Sequence, residues 1–259
     1  MDASAEANAL NAVMSDPVPQ IAAPPNPVVE LYVGVADPSG DWQKTAIVRE
    51  LTGADEEALA SFEAKGSVGY ADYMSFLLRR AVESIGHINV KQEPGVIDSL
   101  IIGDRDKLFM AIVEATYGNI REYQVDCPSC EQPNDVFVDI STFPEKPLKE
   151  GIGPKVSTTL KDGTVVEFRL PNGQDSIEAI KTSKTAAEQN TYLLSRCVTN
   201  VTGNTSIWAK ELGLADRSKL IKTLLDAQPG PEIGEVKAQC ADCGHEFPIM
   251  LDWASLLLG

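Results

Sequence analysis

Two C-x-x-C motifs, Cys127/Cys130 and Cys240/Cys243, carry the residues of this sequence that are best suited to chemistry. Each motif lies between two strand-like runs, in "YQVDCPSCEQPNDVFVDI" and in "VKAQCADCGHEFPIMLDW". A turn of this spacing at the tip of a hairpin directs two thiolates toward one point, and two such turns supply the four ligands of a structural Zn²⁺. The sequence therefore predicts one shared zinc site, with Cys127, Cys130, Cys240 and Cys243 as its ligands.

Two other chemistries use the same residue types. An iron centre can be held by the same four thiolates. A thiol oxidoreductase places C-x-x-C at the N-terminus of a helix, where the helix dipole lowers a thiol pKa. Strands are predicted after both motifs here, which counts against the redox alternative. A closed four-cysteine site has no open position for a substrate, so the pattern favours a structural role.

The other cysteine and the histidines do not extend this chemistry. Cys197 lies on an apolar helical stripe, which is typical of a buried free thiol. His245 directly follows the second motif, but four cysteines already complete a zinc site, so we expect a surface histidine. The other histidine, His87, belongs to no nucleophile or metalloprotease pattern, and no phosphate-binding glycine motif is present. The sequence thus predicts a protein that is not an enzyme.

The two motifs are 109 residues apart, which is far for a compact zinc ribbon. Three patterns, however, occur twice in the same order, which favours an internal duplication in which each half contributes two ligands. The patterns are R-x-x-x-G-x-D at 49–55 and 169–175, D-R-x-K-L at 104–108 and 216–220, and I-x-E-x4-C-x-x-C-x8-D at 120–139 and 233–252.

Local patterns place these motifs on helices and strands. Strands are predicted over 28–35 and 44–51, and "VSTTLKDGTVVEFRL" predicts a hairpin with a D-G turn. Helices are predicted from 53, over 70–86 with Gly86 as the stop, and from Asp104 as N-cap to Gly118. Further helices are predicted in "GQDSIEAIK", "AEQNTYLLSRCV" and "LADRSKLIKTLLDA", and the apolar "DWASLLLG" is expected in the core.

We therefore expect an α+β fold of two pseudo-repeated halves, each a β-hairpin with helices, joined by a four-cysteine zinc ribbon. The expected organisation is an extended N-terminal arm over 1–28, a first half over 29–145 and a second half over 146–259. The arm is predicted from its prolines, which favour extended backbone.

Charge and hydropathy exclude several classes of function. The formal net charge of the 259 residues is −16 and no basic cluster is visible, so a nucleic-acid partner is not expected. No run approaches the roughly 20 apolar residues of a membrane span, and the acidic start "MDASAEANAL" does not indicate a signal peptide. An acidic surface of this kind suits a protein partner with basic patches.

The segment "LIIGDRDKLFMAIVEATYGNIREYQVDCPSCEQPNDVFVDI" resembles the baseplate hub protein family of tailed phages, the T-even-like baseplate proteins. Its G-D-R before an apolar helix, its T-Y-G and its strand into C-P-x-C carry the resemblance. It covers roughly 30–143 and, weakly, the remainder, whereas the proline-rich arm departs from the family's pattern.

The resemblance implies a non-enzymatic structural or assembly subunit of a phage tail baseplate or hub. Such a subunit binds other phage tail and baseplate proteins within a large hetero-oligomer, in the virion tail and, during assembly, in the host cytoplasm. The alternatives are a cellular zinc-ribbon adaptor and, further off, a thiol oxidoreductase.

Overall fold

The computed structural model describes residues 27–66, 69–148, 155–202 and 209–258. The predicted arm therefore lies outside the described residues except for Pro27 and Val28. Both of these belong to the fold, because the Pro27 carbonyl accepts a hydrogen bond from the Val48 N–H and Val28 begins the first strand.

A four-stranded antiparallel sheet and four helices form the described part of the first half. The strands pair in chain order as β1 (Val28–Ala36), β2 (Trp42–Val48), β3 (Val82–Ile85) and β4 (Ile88–Asn89). The helices are α1 (Gly53–Glu63), α2 (Tyr70–Ala81), α3 (Val96–Ser99) and α4 (Ile102–Tyr117). A hairpin of β5 (Ile120–Asp126) and β6 (Pro133–Asp139) follows, then a 3₁₀ turn (Ile140–Thr142) and β7 (Glu145–Lys146).

The described elements of the second half come in a similar order. Strands β8 (Lys155–Thr159), β9 (Val165–Arg169) and β10 (Val198–Thr202) form a sheet with β9 in the middle. The helices are α5 (Gly173–Thr182), α6 (Ala186–Cys197) and α7 (Leu214–Asp226). After β11 (Gly230–Pro231) come the hairpin of β12 (Glu235–Gln239) and β13 (Glu246–Met250) and helix α8 (Trp253–Leu258). The fold is α+β, as predicted.

The helix predicted over 70–86 is wrong in its last turn. Helix α2 ends at Ala81, and the next four residues form β3, which pairs with β2. Val82 and Ile85 are fully buried in the sheet, and their spacing of three residues imitates one face of a helix. Gly86 has a φ of 56°, so it is the turn between β3 and β4 that needs its glycine.

Asp104 is also not the N-cap of its helix, because α4 begins at Ile102. Its carboxylate is fully buried and accepts backbone hydrogen bonds from β1 instead. The N–H of Tyr32 lies 2.6 Å from Oδ1, and the N–H of Gly34 lies 2.7 Å from Oδ2. Asp104 therefore fixes α4 to the edge strand β1 rather than capping its own helix.

The described core has a larger and a smaller cluster of buried side chains. The larger one combines the first sheet, α2 and α4 with both cysteine hairpins and α8. Leu256 and Leu257 are buried in it, so the core position expected for the C-terminal run is confirmed. The smaller cluster lies mainly between the second sheet, α6 and α7. None of the helices in the described ranges is long and apolar enough to cross a bilayer.

The two halves meet through backbone as well as side chains. The Ile102 N–H donates to the Pro171 carbonyl at 3.2 Å, and the Gly173 N–H donates to the Leu100 carbonyl at 3.1 Å. A Cβ at Gly173 would lie 2.3 Å from Nη1 of Arg105, so a larger residue here would displace this buried guanidinium.

A buried aspartate, Asp55, links the hairpin of the first half to its helices. Arg49 at the end of β2 and Arg80 in the last turn of α2 each lie 2.7 Å from its carboxylate. The Thr52 N–H donates to the same group at 2.9 Å. Burial alone would raise the pKa of Asp55, but these hydrogen bonds outweigh it and hold the pKa well below 3.8.

Asp175 has the same surroundings in the second half. Arg169 at the end of β9 lies 2.5 Å from its carboxylate, and Arg196 in the last turn of α6 lies 3.5 Å away. The Asn172 N–H donates to it at 3.0 Å. Here too the hydrogen bond from Arg169 overcomes burial and lowers the pKa of Asp175. Each half thus uses one buried carboxylate to join a strand end to the second helix.

We expect Asp55→Asn to lower the free energy of unfolding at pH 7 by about 2–3 kcal/mol. This is less than the loss for a fully buried pair, because both arginines are partly exposed. A carboxylate with a lowered pKa stabilises the fold above its unfolded pKa, and this contribution is lost as the pH falls toward the folded pKa. The difference between the two proteins should therefore shrink below about pH 4.

Denaturant unfolding from pH 3 to pH 7 measures this difference. Glu57→Gln is the matched control, since Glu57 is exposed on the same helix. A difference between wild type and Asp55→Asn that stays constant across this range would contradict the role of the Asp55 charge.

Candidate metal centre

The first C-x-x-C motif forms the tip of the β5–β6 hairpin. The two strands pair without a register shift from Ile120 opposite Asp139 to Asp126 opposite Pro133. The Cys127 N–H then donates to the Gln132 carbonyl at 2.9 Å and closes the turn. The strands thus carry the turn, and its two sulfurs, to the end of a continuous ladder.

The second motif forms the tip of the β12–β13 hairpin in the same way. The Cys240 N–H donates to the His245 carbonyl at 2.9 Å, and the Gly244 N–H donates to the Cys240 carbonyl at 3.0 Å. Gly244 has a φ of 72° and Glu131, at the same place in the first turn, has a φ of 59°. Both turns therefore leave the cysteines through a left-handed residue, which glycine adopts more readily than glutamate.

All four sulfurs converge between the two tips. The sulfurs of Cys127 and Cys243 are 3.7 Å apart, those of Cys130 and Cys240 are 3.6 Å apart, and all four lie within 4.8 Å of one another. Four sulfurs about 2.3 Å from a central Zn²⁺ stand about 3.8 Å apart in a tetrahedron. A disulfide needs about 2.0 Å. The spacing therefore fits a tetrahedral four-thiolate metal site and no cysteine here is bridged to another.

Charge on one sulfur influences the others. Backbone N–H groups of Cys243 and Asp242 donate to Cys240 and lower the pKa of its thiol to about 6. The Gln132 N–H also acts to lower the pKa of Cys130. The contacts of Cys130 with Cys243 and the other thiols act in the opposite direction, and the pKa of Cys130 is raised. The directions differ because a thiolate opposes the ionisation of the next thiol. A dication favours the thiolate form of all four.

The cluster lies at the edge of the larger core. Cys127 and Cys240, the first cysteine of each motif, are buried in that core, while Cys130 is half-buried and Cys243 is exposed. Packing therefore fixes one sulfur of each pair from the inside. The other side of the cluster faces solvent, so an ion and a chelator both have a path to it.

Asn134 links the two turns directly. It is a buried residue of β6, and its Oδ1 accepts the N–H of Ala241, inside the second motif, at 3.0 Å. Its Nδ2 donates to the Gln132 carbonyl of the first turn at 2.8 Å. Sequence reasoning missed this residue, although a polar side chain in strand alternation with the inward-facing Val136 and Val138 is a usable signal.

His245 and Cys197 both lie outside the cluster, as the sequence predicts. His245 is exposed and is not part of the group of four cysteines. Cys197 is a buried free thiol of the smaller core, and burial raises its pKa to about 12. Neither C-x-x-C lies at a helix N-terminus, which is the usual position of a redox pair.

A family model described as T4 bacteriophage base plate protein matches residues 41–252, a range that contains both cysteine hairpins and most of both halves. The chain belongs to this family. It is therefore a phage baseplate protein, as the resemblance in the first half implied. No curated protein and no solved structure matches the chain. Baseplate proteins of this family are in general structural parts of the virion tail.

We expect Asn134→Ala to lower the free energy of unfolding of this baseplate protein by about 1–2 kcal/mol. The variant leaves the Ala241 N–H without its partner and removes one of two hydrogen bonds to the Gln132 carbonyl, which keeps the one from the Cys127 N–H. Hydrogen exchange at the Ala241 amide should become faster, and denaturant unfolding gives the energy.

Gln124→Ala is the control on the same hairpin, because Gln124 makes one exposed hydrogen bond to Asp135. It should change the stability by less than about 0.5 kcal/mol. Equal exchange of the Ala241 amide in Asn134→Ala and wild type would show that Asn134 does not connect the turns.

Proposed function

We propose that this baseplate protein is a non-enzymatic structural subunit in which one Zn²⁺, held by Cys127, Cys130, Cys240 and Cys243, fixes the two cysteine hairpins to each other. The convergence of four sulfurs within 4.8 Å is the observation that carries the proposal. Because all four coordination positions are taken by the protein, the ion supplies structure and no substrate position.

Zinc is the ion that we favour over iron. Tetrahedral four-thiolate sites bind either metal. Both turns come from hairpin tips in the manner of a zinc ribbon, and nothing in the proposed structural role requires a redox-active metal. Metal analysis and the visible absorption of the purified protein separate the two ions directly.

The two halves, we further propose, arose by duplication, with one hairpin of the zinc ribbon in each. Support comes from Arg105, whose guanidinium donates to the Ile97 carbonyl at 3.0 Å and to the Ala71 carbonyl and Ser75 hydroxyl at 3.4 and 2.8 Å. These contacts join α4 to α2 and to α3, which contains Ile97.

Arg217 repeats this set of contacts in the second half. Its guanidinium donates to the Ala209 carbonyl at 2.8 Å and to the Ala187 carbonyl and Thr191 hydroxyl at 2.5 and 2.7 Å. Ile97 and Ala209 both lie eight residues before their arginine. Together with the two aspartate clusters, this gives matching polar contacts at matching positions, which independent evolution of the halves would not require.

The ion has a defined mechanical role in this proposal. The β12–β13 hairpin lies near the end of the second half in sequence, yet it packs into the larger core, which is formed mainly by the first half. A metal between the hairpin tips closes the loop of 109 residues and restricts the unfolded chain. It also sets the place of α8, which directly follows β13.

As partners we propose other proteins of the phage tail, bound in a large hetero-oligomer. The net charge of −16 suits basic faces on neighbouring subunits, and strand β8, at the edge of its sheet, is proposed as a position where a partner strand could pair. The N-terminal arm is proposed as a further contact, and a hub position and assembly in the host cytoplasm belong to the same proposal. No contact with nucleic acid or membrane is included.

We expect about one zinc per chain in the purified protein, and loss of that zinc in Cys127→Ser and in Cys240→Ser. Loss of a tightly bound ion costs about 3 kcal/mol at an ion concentration of 100 times Kd. For a chain of this size the Tm should fall by about 6–12 °C. Elemental analysis and calorimetry measure both effects.

Cys197→Ala is the control, because Cys197 is a buried cysteine outside the cluster. It should retain the zinc. A protein that is purified under reducing conditions without metal, or that carries a reversible disulfide in either motif, would refute the zinc proposal. Independent melting of the two halves in Cys127→Ser would refute a shared structural ion.

Deletion of residues 1–26 should leave the fold and the Tm unchanged but weaken incorporation into baseplates. The cut falls before Pro27, whose carbonyl hydrogen-bonds to Val48 in the sheet. Circular dichroism checks the fold, and complementation of a phage that lacks the protein checks assembly. Full complementation by the truncated protein would exclude the arm as an assembly contact.

A further inference from the structure

A groove of about 340 Å³ separates α6 from α7 in the second half. Its apolar side comes from Leu214, Ile221 and Leu225 of α7, and Asn190 of α6 lies opposite. Leu214 is 80% exposed and Leu225 is 54% exposed. Apolar side chains that line one groove at this exposure are typical of an interaction site.

The same positions of the first half are buried. The shift of 112 residues that aligns the two D-R-x-K-L patterns pairs Ile221 with Phe109 and Leu225 with Val113. Phe109 is 2% exposed and Val113 is fully buried. The two helices therefore share their pattern but not their surroundings.

Helix α8 contributes to this difference at Phe109. The rings of Trp253 and Phe109 meet edge to face with centroids 5.1 Å apart. Trp253 and Leu257 line, with Met74 and Phe109, the region between α2 and α4. A shift of 116 residues pairs the acceptors on α2, Ala71 and Ser75, with those on α6, Ala187 and Thr191. The same shift pairs Met74 with Asn190. The groove between α6 and α7 is thus the counterpart of the place where α8 sits.

Nothing in the described part of the chain fills that counterpart. Both cysteine hairpins and α8 pack into the larger core. Ile140, which follows the first hairpin at the position that corresponds to Trp253 after the second, is buried there as well. The first half consequently receives both covering elements, and the outer face of α7 receives neither.

We propose that the groove between α6 and α7 binds a short amphipathic helix of another baseplate protein, with an aromatic and a leucine side chain spaced as Trp253 and Leu257 are. The inference rests on the proposed duplication. It adds to the proposed function the surface at which a partner binds and the chemistry of the partner helix that fits this surface.

Charge and polarity define that partner more closely. Arg217 and the exposed Lys222 stand at the rim with one acid, Asp226, so the rim is cationic in a chain whose net charge is −16. An acidic residue at the N-terminal end of the bound helix fits this rim, as Asp252 precedes α8.

The α6 side of the groove is polar, whereas the corresponding α2 side packs against the larger core through Tyr73 and Met74. Gln189 and Asn190 stand at the positions of Tyr73 and Met74. The bound helix therefore needs one apolar stripe toward α7 and a polar face toward α6, which is the amphipathic helix-in-groove arrangement.

A second copy of this chain is the less suitable partner. Its own α8 has Leu256 and Leu257 buried in the larger core, and each buried leucine would have to be exposed before the helix could be exchanged. A different baseplate protein with a free helix carries no such cost.

A peptide of residues 251–258, "LDWASLLL", is a probe of the required chemistry and can be titrated into the intact, zinc-loaded protein. Methyl NMR should show saturable shifts at Ile221, Leu214 and Leu225 at millimolar peptide, about the affinity expected for so short a helix. Leu225→Glu and Leu214→Glu should weaken binding about tenfold. Both positions are exposed, so the variants should fold.

Met250→Glu is the matched control, since Met250 is 70% exposed on a different surface. It should bind the peptide as wild type does, and a peptide with alanine in place of tryptophan should bind weakly to every variant.

Three results would overturn the proposal. They are the absence of shifts at about 5 mM peptide, shifts confined to the surroundings of Phe109, and dimerisation of the free protein through Leu225. Zinc content and Tm measured on the same samples report on the metal site separately, so a failure of the zinc proposal is distinguishable from a failure of this one.

Discussion

The approach of four thiols to within 4.8 Å is the constraint on which the arrangement of the rest depends. Two of the sulfurs come from a hairpin near the end of the second half, and the other two from a hairpin of the first. For the sulfurs to meet, β12 and β13, which form a separate two-stranded sheet, must pack into the larger core, where Cys240 becomes buried. Helix α8 is carried along, because it begins three residues after β13.

This arrangement makes the halves alike inside and different outside. Inside, Asp55 and Asp175 each collect one arginine from a strand and one from a helix, and Arg105 and Arg217 bind matching acceptors. Such buried polar groups are costly unless every partner is present, so they change little once built. Outside, the covering elements all go to one half, and α7 keeps an apolar face in contact with solvent.

The sequence predicts what is local or repeated. The cysteine spacing, the D-G hairpin with Gly163 at a φ of 87° and the stripe of α7 follow from turn chemistry and periodicity. Prediction from the sequence fails where contact with a distant strand determines the local structure. The spacing of Val82 and Ile85 predicts a helical face, but these residues pair with β2. Asp104 is predicted as an N-cap, but its carboxylate binds the backbone of β1. Asn134 has partners that only the meeting of the two hairpins creates.

The proposed metal site and the backbone contact between the halves position different parts of the chain. Backbone hydrogen bonds of Leu100 and Ile102 with the segment 171–173 connect the halves whether or not an ion is bound. In the proposed zinc-bound protein, the ion would fix the position of the second hairpin, whose Phe247 and Ile249 belong to the larger core. If the ion were lost, α8 would lose its fixed start, and Phe109 would gain the exposure that Ile221 and Leu225 have in the other half. The proposed metal site would therefore determine which of two similar helix faces is covered by the chain itself and which one the proposed partner helix would bind.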